Sequence, residues 1–272
     1  MDLKNWPIQK KDKYFYRGNW DEKLFKNSIA IVGSRMVTKY GAEVTDKFVA
    51  DFVANKITTI SGFMYGVDTV VAQKTIEYGG KHVAVLGCGL DVIYPSENEK
   101  IYLKILECGG LMISEYEPLA QPHLWKFPQR NKVVVKFASL GVLVIEAGEG
   151  SGSLITAKIA IKSGKSVYAV PGPITSKVSM GTNELIKNGK AKLVTSVGDI
   201  IKISHFAKAS RDRQDLIGIE GKIYKLLELE PLDIDEISQK TGESVIEIGG
   251  TLSLMGIKNL VTESGGKYYA NS

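Results

Sequence analysis

The stretch "GVLVIEAGEGSGSLITAK", Gly141 to Lys158, decides the fold. Four apolar residues at 142–145 run into an acid, glycines follow at 148, 150 and 152, and a helical pattern begins near Ser151. Strand, glycine turn and helix start form the repeating unit of a parallel α/β sheet. At such a turn the free N–H groups and the helix dipole attract an anion. Whether that anion is a nucleotide, a metabolite or the phosphates of a polynucleotide stays open on this stretch alone.

The same alternation continues in both directions. Runs rich in Val and Ile at 28–33, 56–62, 82–87, 111–114, 141–147 and 166–172 read as strands, apolar on successive residues as in sheets covered on both faces. Helical periods fill 40–55, 67–78, 97–108, 129–138, 153–163 and 180–187. The predicted fold class is α/β: a Rossmann-like open, mostly parallel sheet with a small C-terminal winged-helix domain. That last domain is read from three short helical patterns at 219–230, 232–242 and 244–256, then two strands around Gly265-Gly266. Its third helix would be the one to enter a DNA groove, yet "SVIEIGGTLSLMG" carries no Lys or Arg and one Glu, which favours packing or protein contact. The predicted organisation is an N-terminal extension at 1–27, a sheet domain at 28–204, a polar linker at 205–217 and a winged-helix-like domain at 218–272.

With 272 residues, 44% hydrophobic and 24% charged, the composition is that of an ordinary globular chain. The net charge of +5 is unevenly spread: residues 215–272 hold ten acids against five lysines, so the remainder is strongly basic. A basic surface points to an anionic partner, or to a solvated lysine-rich face. The longest apolar region, 133–147, is broken by Lys136 and Gly141, and the N-terminus has no apolar signal core. A cytoplasmic protein with no membrane partner is expected. Cys88 and Cys108 fit neither a disulfide framework nor a metal knuckle and read as packing residues. His82, His123 and His205 lack ligand spacing, so no metal is expected. Neither a Walker loop nor a G-x-G-x-x-G helix start is present, so no cofactor is expected.

Several strand exits carry residues suited to an anion. Ser151, Gly152 and Ser153 open a helix directly after a strand, where serines can add donors or simply cap the helix. Arg35, in "GSR" at 33–35, follows the first strand and stands at the same sheet edge if the strands are parallel; its fork suits a phosphate. "WKFPQRNK" at 125–132 interleaves Lys126, Arg130 and Lys132 with Trp125 and Phe127, a pattern suited to single-stranded nucleic acid. Its alternative is a core-anchored pair of rings with solvated basic neighbours. Asp68 and Glu115 are the acid/base candidates, and serve equally well as helix caps or loop braces.

"IAIVGSR", "SGFMYGVD", "HVAVLGCGLDVIYPSEN", "SEYEP", "FPQRN", "SGSLITA", "VPGP" and "GTNELIKNG" follow one another between residues 28 and 202. Together they resemble the DNA-processing protein A family, DprA or Smf. The resemblance implies a protein without known turnover that binds and protects single-stranded DNA during natural transformation, helps load the RecA recombinase, and forms a homodimer. It also implies a set of DNA-contacting positions: Gly33, Ser34 and Arg35; Phe127, Arg130, Asn131 and Lys132; the Ser151–Gly152–Ser153 turn; and Thr175, just past "VPGP". Lys136 and Phe137 depart from the family pattern, which has small residues there.

Two rivals belong to other classes. A LOG-type nucleoside-monophosphate phosphoribohydrolase would need an acid inside the helix after the glycine loop, where this chain has Ile155, Thr156 and Ala157. A nucleotide-sensing scaffold would explain the acidic tail but not the basic aromatic segment.

Overall fold

The computed structural model describes residues 3–201, 218–257 and 260–270. The predicted linker at 205–217, with His205, lies outside them. The chain forms two compact units, 1–202 and 203–272.

The first unit is built on a sheet ordered β1-β2-β6-β5-β4-β3-β7-β8-β9. Its strands are β1 (Gln9–Lys11), β2 (Tyr14–Gly18), β3 (Ser28–Val32), β4 (Thr58–Ser61), β5 (His82–Val85), β6 (Leu111–Ser114), β7 (Val142–Val144), β8 (Val167–Ala169) and β9 (Lys192–Leu193). From β6 to β9 all neighbours are parallel. β2 runs antiparallel to β6, and β1 antiparallel to β2. Residues ahead of Ser28, expected as an extension outside the sheet domain, therefore supply its edge. Their signal was the short run "YFYRG", too brief to show a period. It is anchored by Arg17, which is buried and donates to the carbonyls of Trp6 and Leu90 and to the Asp91 carboxylate.

The helices are α1 (Lys23–Lys26), α2 (Lys39–Ala54), α3 (Val67–Glu77), α4 (Glu99–Glu107), α5 (Lys126–Phe137), α6 (Gly152–Lys162) and α7 (Met180–Lys187). Strand alternation divides the core between them. Ile29 and Ile31 of β3 and Leu143 of β7 pack with Phe48, Val49 and Phe52 of α2 and Val67 and Val71 of α3. Ala30, Val32, Val142 and Val144 face the other way, onto Val133 and Val134 of α5 and Ala157 and Ala160 of α6. Because helices cover both faces of the central strands β3 and β7, these read as unbroken apolar runs.

The second unit has α8 (Ile219–Leu229), α9 (Ile234–Thr241) and α10 (Val245–Ile257), then the antiparallel hairpin β10 (Val261–Ser264) and β11 (Lys267–Ala270). This is the element order of a winged helix. Ile223, Leu227, Ile237, Ile248, Leu252 and Met255 form its own core. An isolated bridge from Leu232 to Tyr268 ties the hairpin back to the helices.

Candidate functional site

Strand order places the site. From β3 the chain proceeds outward through β4, β5 and β6, then crosses back by α5 to β7 on the other side of β3. The carboxyl ends of β3 and β7 are therefore the point where the winding reverses and a crevice opens. Val32 pairs with Val144, so the "GSR" loop after β3 and the glycine loop after β7 leave the sheet side by side.

The acid that ends β7 does not face a ligand. Glu146 is buried and accepts hydrogen bonds from the Thr38 N–H (3.1 Å) and the Thr38 hydroxyl (2.5 Å), just ahead of α2. It stitches one loop to the other. A side chain on Gly41 would drive its Cβ into the Glu146 carboxylate and push it off Thr38.

Beyond Glu146 the loop opens. Ser151 caps α6: its hydroxyl accepts from Ser153 N–H (3.3 Å) and lies 2.7 Å from the Ser153 hydroxyl. Gly150 has φ +72°, and a Cβ added at Gly150 or Gly152 would meet no protein atom within 4 Å, so the backbone here is approachable. Gly62 and Gly87 differ: a Cβ would lie 2.6 Å from the Arg130 guanidinium carbon or 2.7 Å from the Phe127 ring. Those two glycines make room for the protein's own side chains rather than for a ligand.

A cleft of about 450 Å³ lies over this edge. It brings together Gly33, Ser34, Arg35, Phe127, Arg130 and Asn131 with the Ser151–Gly152–Ser153 turn. Lys132 and Thr175 do not line it. Lys132 is exposed in a separate depression with Lys136, Lys162 and Lys165, and Thr175 is exposed in the turn after β8.

Within the cleft the residues differ in kind. Arg35 is exposed, makes no ion pair with a carboxylate among the described residues, and rests 5.5 Å above the Phe127 ring. Ser34 is buried; its hydroxyl donates to the Met36 carbonyl (2.9 Å) and accepts from the Met36 N–H (3.1 Å), shaping the turn that presents Arg35. Arg130 is only 4% exposed and donates to the carbonyls of Gly62 and Val85, which end two neighbouring strands. Its Nε donates to the side-chain oxygen of Asn131 (3.1 Å). Asp68 is buried near it and accepts from the Met64 N–H (3.2 Å). Burial pushes Asp68 up to about 6, against the pull of Arg130, the backbone N–H groups of Met64 and Gly62, and Arg35. Arg130 is a strut within the cleft floor.

Lys126, Phe127 and Arg130 of the basic aromatic segment are likewise turned inward, whereas Trp125 and Lys132 are exposed. Lys126 is buried, donates to the Gln121 carbonyl (2.7 Å) and lies over the rings of Tyr116 and Trp125. Phe127 is 9% exposed, so it shows an incoming base little more than an edge. The ring that the cleft does expose is Tyr65, 39% accessible and packed edge-on against Tyr94. Tyr65 sits inside "SGFMYGVD", and a ring between glycines at a strand exit was the available signal. Exposed Met36 and Leu124 are further apolar lining residues with no such signal.

The other candidates are structural. Glu115 pairs with Lys13 at 2.5 Å. His82 is buried between the hydroxyls of Thr59 (2.8 Å) and Ser61 (3.1 Å), and burial lowers it to about 3. Cys88 is buried and raised to about 11 by that burial, whereas Cys108, expected to pack, is exposed at the end of α4. Among the described residues no group of His, Cys, Asp or Glu is arranged to hold a metal ion, and no helix is long and apolar enough to cross a membrane.

Residues 5–205 match the family described as DNA recombination-mediator protein A. The chain is 40% identical over 187 residues to the DNA processing protein DprA of Streptococcus pneumoniae, covering 69% of this chain and 64% of that one. It is 33% identical over 236 residues to Protein Smf of Escherichia coli, covering 83% and 63%. It thus spans a little under two thirds of the length of these relatives. Among solved structures it is similar to DprA of Streptococcus pneumoniae, with TM-score 0.64 and 37% identity over 73% of this chain and 74% of that one. It is also similar to DNA processing protein A of Helicobacter pylori, whose structure was described for its single-stranded DNA binding mode. There the TM-score is 0.63 with 26% identity over 76% and 96% of the two chains.

Proposed function

The chain belongs to the DNA recombination-mediator protein A family, and from that premise we propose that it binds single-stranded DNA in the cleft between β3 and β7. The observation that carries this is the pairing of Arg35, exposed and without a carboxylate partner among the described residues, with the open start of α6 on one cleft. Arg35 takes one phosphate through its fork, and the backbone at Gly150–Gly152 takes the next. Tyr65 gives an unstacked base a ring to lie on, and Phe127 holds Arg35 in place by the cation–π contact.

The likeness to a relative described for its single-stranded DNA binding supports this choice of ligand. Binding without turnover fits the chemistry of the cleft. Asp68 is a buried part of the cleft floor, held by the Met64 N–H, and Ile155, Thr156 and Ala157 stand where a hydrolase needs its acid. In the cell the protein would protect single strands for recombination and transformation and pass them to a RecA-type recombinase, acting as a homodimer in the cytoplasm.

Fluorescence anisotropy with labelled oligo-dT and a matched duplex across a salt series tests the proposal. Single strands should bind more tightly, and Arg35→Ala should weaken them roughly tenfold or more and lower the log–log salt slope by about 0.7. Equal binding of both strands by wild type and variant would place the site elsewhere. Release of free base from AMP would instead favour the hydrolase.

A further inference from the structure

A second basic surface lies on the helices that lead away from the cleft. Lys132 and Lys136 of α5, Lys162 at the end of α6 and Lys165 just beyond it line one depression of about 570 Å³, floored by Val135 and Ile159. No acid occurs between Glu117 and Glu146, which covers all of α5, or between Glu149 and Glu184, which covers all of α6. Among the described residues none of the four lysines pairs with a carboxylate. Lys136 instead donates to the Tyr14 hydroxyl (3.0 Å), and Lys165 to the carbonyls of Lys136 (2.9 Å) and Ala138 (2.6 Å). Lys132 and Lys162 are exposed.

The placement relative to the cleft gives this patch its meaning. α5 and α6 pack side by side, and both begin at the cleft: Phe127 and Arg130 stand in the first turns of α5, Gly152 and Ser153 in the first turn of α6. The lysines lie further along the same two helices, so the patch is about 10–15 Å down their axes at 1.5 Å per residue. A surface of one sign on the two neighbouring helices that begin at the anion site suits a ligand that carries evenly repeated negative charge. Partial burial lowers the Lys165 pKa, a shift that the negative charge of an arriving phosphate would oppose.

We propose that single-stranded DNA leaving the cleft continues along the α5–α6 face, its phosphates meeting Lys132 first and then Lys136, Lys162 and Lys165. The proposal rests on the cleft reading above and extends it to a longer footprint. Contacts here are to the backbone alone, since Val135 and Ile159 offer no ring, so this part of the track adds affinity and salt dependence without base preference.

The test compares oligo-dT of about six and about twenty nucleotides on the full chain, for wild type, Lys132→Gln/Lys162→Gln and Arg35→Ala. Both substituted lysines are exposed, and a urea melt at the wild-type midpoint verifies that the double variant folds. In that variant the long strand should lose roughly ten times more affinity than the short one, and its salt slope should fall by about 1.4, two phosphate contacts' worth. If Arg35→Ala weakens both lengths while the double variant leaves the long strand's affinity and slope unchanged, the track is refuted and the cleft stands. If the double variant weakens both lengths equally, the lysines belong to the primary site and the extended footprint is refuted. If Arg35→Ala affects neither length, the cleft reading itself falls.

Discussion

Arg130 lies at the heart of the family-like "FPQRN" segment, and its burial makes a sharp prediction. Arg130→Met removes the donor shared by the Gly62 and Val85 carbonyls and leaves Asp68 buried without its cation. Arg130 acts on Asp68 through space, with no direct ion pair between them, so the cost comes chiefly from the two buried carbonyls, about 1–3 kcal/mol each once unsatisfied. A loss on the order of 4 kcal/mol is a large part of the 5–15 kcal/mol that holds a typical domain. With a urea slope of about 2 kcal/mol per molar, the midpoint should fall by roughly 2 M. The loss also depends on pH. Asp68 already titrates near 6 in the folded chain, above its ordinary 3.8, and without Arg130 it moves higher still. A raised carboxyl stabilises below its unfolded pKa and loses that contribution as pH rises through the folded value. Arg130→Met should therefore be hurt less at acidic than at alkaline pH, and Arg130→Met/Asp68→Asn should recover part of the loss at alkaline pH. The assay is a set of urea melts on either side of Asp68's titration, paired with oligo-dT anisotropy. A variant that melts like wild type at alkaline pH yet no longer binds oligo-dT would refute the reasoning, because Arg130 would then be a phosphate grip and not a strut.

Three other outcomes follow from the same geometry. Tyr65→Ala should weaken oligo-dT about tenfold without moving the salt slope, since it removes a ring and no charge; an altered slope in the salt series would count against stacking. Asp68 lies beneath the phosphates' side of the cleft as an anion above about 6, so oligo-dT affinity should rise several-fold as pH falls through that value, and Asp68→Asn should flatten the profile measured by anisotropy. His82 is held neutral with its pKa near 3, below its ordinary 6.5, so its contribution is complete above 6.5 and drains away as pH falls from there toward 3. The slope is at most about 1.4 kcal/mol per pH unit, and His82→Gln should show a shallower acid limb in urea melts.

Much of the fold was legible because each element carries its own period. The strand at 28–33 and the helix at 180–187 appear as β3 (Ser28–Val32) and α7 (Met180–Lys187), since Val and Ile runs and helical spacing are local properties. The edge pair β1 and β2 was not legible. β1 is polar and β2 contains neither Val nor Ile, and the pairing of β2 with β6 is set by a partner about a hundred residues away. The start of α5 was also misplaced: the helical period begins at 129, whereas the helix begins at Lys126 with Pro128 in its first turn, where a missing N–H costs no intrahelical bond.

The sequence by itself determined which residue types stand where: an arginine after β3, glycines and serines after β7, and a cluster of bases and rings at the start of α5. Only the tertiary structure decided which of them meet a ligand. Arg35 and the Ser151 turn share a cleft because β3 and β7 are neighbours at the reversal of strand order. Arg130 and Lys126, equally basic in the sequence, are drawn inward to carbonyls and rings, while Lys132, two positions from Arg130, faces out onto another surface. On a helix one residue's step turns a side chain by about 100°, so charge read along the chain does not say which side of the molecule carries it.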